Sequence, residues 1–518
     1  MNISLANIDY LVLLCYVAAL FFIGIYLKKK KNDNDLFLGG RSLKWWQIGF
    51  SLFSANAGPT MLIGFAGIGF SQGVVGSNFE WFAWVFLMVL AMFFLPHYLA
   101  TKISTVPQFM RLRFGSRAYG FLVIYSLISI LFAWLGSTLY AGGLLISQIF
   151  GWSLFKSVIL VACVATSFTT FGGFKAVVRT GIFQAIIIII SSIILTVLAL
   201  HKVGGIHKLV NAVPGNYWKL FRPASDPEYS WVAVIAGYPV VSLYYWCTDQ
   251  TIVQKTLAAK NLQQGQYGTI FISFLKVLMP LIFIFPGIMC FVLYKQSAQP
   301  DNAYITLVKH LMPHGLLGLS IAALFAALVD AVSSGLNSFS TVFTLDVISR
   351  FFDLSDRQKR YTGRWITVLT AICAVLIAIM FSCSGKGFFE LSQGLVSILA
   401  PPLTVVFLSG ILWKRINNIG AEVVLYGGGL LCLIIGTCHV LGYPHQGFWP
   451  HFLLLSFYIF CVLLVVIVVV SLFTKPTRGA VLPSLIDTNR NMNYNSRKVW
   501  ILWGLLAVVM TIIYFLFS

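Results

Sequence analysis

Charged residues are scarce in this chain of 518 residues. Asp, Glu, Lys and Arg make up 10% of it, whereas soluble domains carry about 25%. Acidic residues are the scarcest, with 15 Asp and Glu against 35 Lys and Arg. Hydrophobic residues reach 59% and the mean hydropathy is +0.88, so lipid must be the solvent for most of the chain. This composition excludes a single soluble core.

Sequence signatures of metal, disulfide and zinc-enzyme sites are missing as well. The nine cysteines include no Cys-x-x-Cys pair, and most lie within apolar runs, which is typical of buried free thiols. No His-Glu-x-x-His motif occurs.

The net charge of +20 would suit nucleic acid, but the basic residues lie in short loops between apolar runs. We therefore expect no enzyme, no cofactor and no nucleic-acid partner.

The chain does contain about fourteen apolar runs, each long enough to cross a bilayer with ~20 residues. They lie at 9–27, 45–70, 76–100, 119–147, 154–172, 180–203, 230–254, 266–294, 315–346, 364–383, 388–412, 420–441, 451–473 and 499–517. The sequence therefore predicts an all-α polytopic protein with a single transmembrane domain over residues 1–518, surrounded by membrane lipid.

Basic residues set the expected direction of these spans, because Lys and Arg are enriched in cytoplasmic loops. With the N-terminus outside, most of the 35 Lys and Arg residues fall in inside loops, such as 28–31 and 357–364. An even number of spans then places both termini outside. No cleavable signal peptide is apparent, because the basic cluster at 28–31 follows the first apolar run. The predicted location is a bacterial inner (plasma) membrane.

Two runs contain signals of an interrupted helix, which transporters use near the bilayer midplane to bind solutes. In 54–60, Gly58 and Pro59 are adjacent and Asn56 adds polar atoms. We interpret this stretch as a functional break rather than an ordinary proline kink. In 393–402, a Gln-Gly pair precedes two prolines. Here a break and a simple helix start both remain open.

Ionisable side chains within apolar runs are costly and usually functional. Glu80, Lys276 and Asp330 lie deepest in their runs. We interpret them as functional, with a Glu80–Lys276 pair facing a hydrated cavity. Asp249 and Asp346 lie near the inner ends of their runs and are interpreted as helix caps or ion-pair partners.

Aromatic residues also lie within a run, at 244–246 (Tyr-Tyr-Trp). Carboxylates and amides that converge with such rings suit a sugar, whose hydroxyls need paired donors and acceptors. A lipid-facing interfacial cluster explains these rings equally well. The residues alone therefore indicate a small polar solute, with a sugar as one candidate.

Short motifs along nearly the whole chain match those of one transporter family. They are Gly39 to Trp46, Pro107-Gln108-Phe109, Tyr245 to Lys255, Leu336 to Asp346, Leu399 to Pro402 and Leu412 to Arg415. The segment that begins at Tyr245 is the most specific. On these motifs the chain resembles the sodium/solute symporter family and, within it, the sodium/glucose cotransporters.

The resemblance implies a LeuT-like fold with two inverted five-helix repeats, flanking helices and alternating access. Residues 9–27 would form an extra N-terminal helix. The first repeat and the following helices would occupy 45–254, the second repeat would lie within 230–412, and 420–517 would form flanking helices. The expected oligomeric state is a monomer.

The resemblance also assigns a sugar site and gates. The family's sugar-binding positions fall on Asn56, Glu80, Ser242, Lys276 and Gln393. Its gate positions fall on Phe65, Tyr245, Trp246 and Phe389. At Ser242 the family can carry a larger amide, and another polar sugar contact falls on Met61. Hexose recognition is therefore expected, with its stereochemistry open.

The sodium site implied by the resemblance departs from the family pattern. Its positions fall on Ser54, Ala57, Ala327, Asp330 and Ala331. The last two replace a pair of serines, and the acid usual in a Trp-Thr-Asp stretch is missing, since 179–181 reads Arg-Thr-Gly. Asp330 would ligate sodium, carry a proton instead, or mark an uncoupled transporter. Ser333 and Ser334, about one turn further on, leave open a shifted cation site.

These observations together predict a sodium-coupled symporter of a sugar or a similar polyhydroxylated solute. A proton-coupled or uncoupled sugar transporter, and a non-transporting solute sensor on the same fold, remain as alternatives. Na+ is the expected coupling ion, with H+ as the alternative.

Overall fold

The computed structural model describes residues 5–25, 37–382, 388–445, 448–475 and 497–518, and these residues form helices joined by loops. Ten of the helices are long and apolar enough to cross a membrane. The prediction of an all-α polytopic membrane protein is confirmed.

We number the helices in chain order. The first half contains α1 (Asn7–Ile25), α2 (Trp45–Asn56), α3 (Pro59–Gln72), α4 (78–100), α5 (Val106–Phe114), α6 (116–150), α7 (154–172) and α8 (174–203). The second half contains α9 (233–248), α10 (Gln250–Leu257), α11 (Leu262–Tyr294), α12 (Ala303–Leu311), α13 (Leu316–Phe351), α14 (Asp356–Ser382), α15 (Phe388–Leu412), α16 (Asn418–Leu441), α17 (Phe452–Phe473) and α18 (Arg497–Leu516).

The number of spanning helices differs from the number of predicted runs for local reasons. The span Met61–Ala100 combines the end of the run 45–70 with the run 76–100, and the span Leu154–Val203 combines two whole runs. The second span bends at Gly173, which has a positive φ of 66°. The run at 230–254 is divided into α9 and α10, and the apolar part of α15 is short. The count of fourteen and the inverted repeat therefore stay predictions.

The break predicted at 54–60 is present. Helix α2 ends at Asn56, Ala57 and Gly58 are not helical, and Pro59 begins α3. Proline suits this first position because its missing N–H would have no helical partner there. The last carbonyls of α2 are likewise left without partners in their own helix.

The break considered at 393–402 is absent. Helix α15 continues without interruption through Pro401 and Pro402. Neighbouring side chains can satisfy backbone groups that proline frees within a membrane helix. The carbonyls that Pro401 and Pro402 leave without a helical donor are those of Ser397 and Ile398. The Tyr125 hydroxyl donates to the neighbouring Leu399 carbonyl and so joins α6 to this part of α15.

A break that the sequence did not reveal separates α9 from α10. Asp249 there has an extended backbone (φ −69°, ψ 127°) and its side chain accepts a hydrogen bond from the Thr251 N–H at 2.8 Å. The interpretation of Asp249 as a cap is confirmed.

Asp346 on α13 accepts from Gln108 at 2.9 Å and from the Tyr119 hydroxyl at 3.1 Å, so it joins α13 to α5 and α6.

Helices α3 and α11 approach so closely that only glycine fits at two points. A Cβ atom on Gly69 would lie 2.1 Å from the Ile284 carbonyl oxygen, and one on Gly287 would lie 2.0 Å from the Ala66 carbonyl oxygen. Small residues allow such backbone contact between membrane helices. The contact sets the short distance between α11 and the helix that follows the break.

Replacing Gly287 tests this packing. Gly287→Ala should lower the unfolding temperature of the detergent-solubilised protein, because overpacking against rigid backbone costs about 1–3 kcal/mol. Gly120→Ala on α6 is the matched control, since no atom of the described residues lies within 4 Å of its added methyl group. Equal unfolding temperatures for the two variants would contradict the close contact.

Candidate functional site

A buried ion pair lies beside the break between α2 and α3. The Lys276 ammonium, on α11, donates to Glu80 Oε2 on α4 and to Asn56 Oδ1 at the end of α2. The side chains of Lys276 and Glu80 are each 2% exposed. The pair predicted from charge and depth is therefore formed, and it joins three elements distant in sequence.

Aromatic side chains surround this pair. The Asn56 amide donates to the Tyr245 hydroxyl at 2.9 Å, and the Lys276 ammonium lies 4.6 Å from the centre of the Trp246 ring. Such a position over an indole face is attractive for a cation. The Tyr245 ring is stacked on Trp134 of α6, with ring centres 5.8 Å apart and planes 19° apart. Two of the three rings at 244–246, those of Tyr245 and Trp246, therefore contact Asn56 and Lys276 and do not face lipid alone.

Two small cavities adjoin these residues. One, of about 70 Å³, is lined by Asn56, Met61, Phe79, Glu80, Tyr238, Val241, Ser242, Tyr245, Trp246 and Val396. The other, of about 60 Å³, is lined by Ala55, Asn56, Gly58, Met61, Ala133, Trp134, Ser137, Thr138, Tyr245, Ala331 and Val396. Both cavities share Tyr245. Each offers room for a few waters and carries hydrogen-bonding groups next to aromatic faces.

The remaining sugar and gate positions are placed as follows. Ser242 is buried and lines the larger cavity. Phe65 is buried, with its ring centre 6.5 Å from that of Phe79. Gln393 and Phe389 lie on α15, but their side chains are outside the described residues.

The predicted ion site brings Ser54 and Asp330 into direct contact. The Ser54 hydroxyl donates to Asp330 Oδ2 at 2.8 Å, and both side chains are buried. Gly181 on α8 closes the same space, because a Cβ atom there would lie 2.8 Å from both Asp330 Oδ1 and Ser54 Oγ. The glycine found where the family has an acid therefore leaves room for a carboxylate that comes from α13.

The other predicted ion-site residues are buried alanines. Ala57 and Ala327 have no exposed surface, and the Ala331 carbonyl accepts from the Trp134 indole at 2.9 Å. That bond links the ion-site helix α13 to the aromatic stack at Tyr245.

Lys255 is a neighbour of the ion site that sequence reasoning did not single out. Its ammonium donates to the Ser51 carbonyl at 2.8 Å and to the Ser334 hydroxyl at 3.0 Å, and it attracts the Asp330 carboxylate. The Gln184 amide, oriented with its nitrogen towards Asp330, donates to Oδ1 at 3.2 Å. Asp330 is thus held by donors from α2 and α8 and by a cation from α10.

Trp134 and its polar neighbours were also missed. Trp134, Ser137 and Thr138 line the smaller cavity, and the last two are small polar residues in the middle of an apolar run. That contrast is the sequence signal that would have found them.

A Gly-x-Ser-x-Gly stretch, typical of serine hydrolases, does occur at 69–73. Ser71 lies in α3 and donates to the Gly67 carbonyl of its own helix at 2.9 Å. This is an ordinary helical serine and not a nucleophile on a strand-to-helix turn.

Known proteins share both sequence and fold with this chain. The sequence profile of the sodium:solute symporter family matches residues 36–428. The sodium/glucose cotransporter of Vibrio parahaemolyticus is 32% identical over 453 residues, covering 81% of this chain and 83% of that protein. Sodium/glucose cotransporter 1 of Ovis aries is 30% identical over 542 residues, covering 93% of this chain and 81% of that protein. A solved Na+-coupled sialic acid symporter, 21% identical, matches in fold with a TM-score of 0.81 over 92% of this chain and 100% of that one.

Neutralising one member of the Glu80–Lys276 pair should lower the stability of the protein more than neutralising both members. Glu80→Gln leaves a buried ammonium without its counter-charge, which costs about 3–5 kcal/mol. The double variant Glu80→Gln/Lys276→Met should recover much of that loss. Thermal unfolding in detergent measures both effects.

The matched control is Glu422→Gln, the same substitution at an exposed ion pair with Arg117, where the arginine side chain is 81% exposed. Such pairs contribute about 0–1 kcal/mol. If Glu80→Gln is no more destabilising than Glu422→Gln, the buried pair is not charged.

Proposed function

The chain belongs to the sodium:solute symporter family, and on that premise we propose that it imports a sugar or a similar polyhydroxylated solute together with a cation. Sodium is the proposed coupling ion. The cation stabilises an outward-open conformation and the solute binds that conformation better, which is how one gradient drives the other.

The observation that supports a sugar is the polar cluster of Asn56, Glu80 and Lys276 against aromatic faces. A carboxylate, an amide and an ammonium offer acceptors and donors in pairs, which match vicinal hydroxyls. Tyr245 and Trp246 supply flat apolar surfaces for the ring of the solute. These groups bond to one another in the structure, so an incoming hydroxyl would exchange one hydrogen bond for another.

Solute entry would also change the cavities. Neither cavity, at about 70 and 60 Å³, has the 300–1,000 Å³ typical of a ligand pocket. Tyr245 lines both, and its displacement from Trp134 would join them. We therefore propose that Tyr245 is the moving gate and that the solute binds between the polar cluster and α6.

Ion coupling is proposed to act at Asp330 and Ser54. A carboxylate and a hydroxyl are hard oxygen ligands of the kind that Na+ prefers, and Ser54 lies in the last turn of α2, two residues before Asn56. A cation bound there would hold the end of α2 and thereby position the Asn56 side chain. The two sites are thus linked through one short helix end.

Proton coupling is the second candidate, and Lys255 favours it. Its ammonium bonds to Ser334, one helical turn beyond Asp330, and attracts the Asp330 carboxylate, so this lysine would partly balance that charge without a metal ion. A proton that moves onto Asp330 would release Lys255 from that attraction. Under this proposal, sodium would act on Ser54 and Asp330, and a proton would act on Asp330 and Lys255.

Transport in proteoliposomes tests the proposal. Labelled glucose and galactose should accumulate under an inward sodium gradient, and Asp330→Ala should abolish the stimulation by sodium. Accumulation driven only by an inward proton gradient would replace sodium with the proton. Failure of both gradients, with sugar still raising the unfolding temperature, would identify an uncoupled transporter or a sensor.

Gly181→Ala tests the geometry of the ion site without removing a ligand. Its methyl group would lie 2.8 Å from Asp330 Oδ1 and Ser54 Oγ, so the carboxylate must shift. The sodium concentration for half-maximal uptake should rise severalfold, while sugar-induced stabilisation changes little. Gly120→Ala is again the control, and identical sodium dependence in both variants would contradict an ion site at Asp330.

A further inference from the structure

An apolar groove runs along the membrane-facing junction of α7 and α14, away from the transport site. Its volume is about 550 Å³, and α14 lines it with Val368, Ile372, Val375 and Ile379 at helical spacing. Ile372 is 55% exposed, so the groove opens outward. A concave apolar surface of this kind holds an acyl chain better than the convex surface of a single helix does, because more of the chain is in contact.

The same face of α14 is basic in the two turns before the groove. Arg357, Tyr361 and Arg364 continue the spacing of Val368 and Ile372, and they line a second cavity of about 700 Å³ at the start of the helix. Within the described part of the chain, the buried Arg364 Nε has no hydrogen-bond partner, so one donor of this guanidinium is unsatisfied. The positive-inside rule places this end of α14 at the cytoplasmic leaflet.

The two cavities follow one another along α14, with the basic one first. From Val368 to Ile379 the helix rises about 16 Å, which is long enough for an acyl chain to lie along the groove. Trp365, 56% exposed, and Tyr361, 63% exposed, lie between the basic and apolar parts, at the depth where aromatic side chains meet headgroups. Basic pockets between membrane helices on the cytoplasmic side bind anionic headgroups.

We propose that this site binds one anionic phospholipid, with its phosphate at Arg357 and Arg364 and an acyl chain in the groove between α7 and α14. Arginine suits the phosphate because its planar fork forms paired hydrogen bonds. A bound lipid would join α7 to α14. The proposal does not depend on which solute or ion the protein carries.

Native mass spectrometry of the full chain, released from micelles that contain phosphatidylglycerol or phosphatidylcholine, tests the site. Phosphatidylglycerol should be retained and phosphatidylcholine lost. Arg357→Gln/Arg364→Gln should lower the affinity for phosphatidylglycerol about thirtyfold, since each of the two cations near a headgroup contributes about 1 kcal/mol. Lys359→Gln/Lys414→Gln, which removes the same charge outside the cavity, should retain the lipid.

A second pair of variants tests the groove with the arginines intact. Ile372→Trp should displace the lipid by filling the groove, whereas Leu369→Trp, outside its lining, should not. Excess inorganic phosphate should fail to compete, because a free anion lacks the acyl chain. Equal retention of both lipids, equal loss in the lysine control, displacement by phosphate, or an unaffected Ile372→Trp variant would each overturn the proposal.

Discussion

A positive charge buried within the bilayer is stable only if something nearby balances it, and Lys276 is such a charge. Its counter-charge on Glu80 and its bond to Asn56 come from two elements that the chain separates widely. Because leaving either charge unpaired is so costly, the three elements cannot part without replacing these contacts. The break between α2 and α3 is held in place by this requirement as much as by its Gly-Pro sequence.

The position of α2 also depends on the buried carboxylate of Asp330, to which Ser54 donates a hydrogen bond. Asp330 lies on α13, the most buried spanning helix of the described chain, in which 83% of the most apolar stretch is buried. Its carboxylate is accommodated because Gly181 has no side chain, and it is balanced by Lys255. Each of the two sites therefore holds a lysine and a carboxylate: Lys276 forms an ion pair with Glu80, and Lys255 attracts Asp330 while bonding to Ser51 and Ser334. Helix α2 contacts both lysines. A change at either site alters the position of the same helix end.

Sequence reasoning succeeded where the physical signal was local. A glycine and a proline in mid-run predicted the break at 54–60, and depth within apolar runs identified Glu80, Lys276 and Asp330. It failed where the answer depended on neighbours. The prolines of α15 were compatible with a break or a helix, and only packing against residues such as Tyr125 decides between them. Lys255 looked like an ordinary inside-loop cation, because its nearness to Asp330 follows from a contact between helices distant in the sequence.

The contact of α3 with α11 at Gly69 and Gly287 has a mechanical consequence. At these two points the helices meet through backbone atoms and no side chains interlock, so the helices can slide along one another there while remaining in van der Waals contact. Helix α3 follows directly from the break, and α11 carries Lys276. If α3 slides a short way along α11, the distance between Asn56 and Lys276 therefore changes. The two glycines thus allow α3 to slide along α11, and the geometry of the polar cluster depends on the relative position of these two helices.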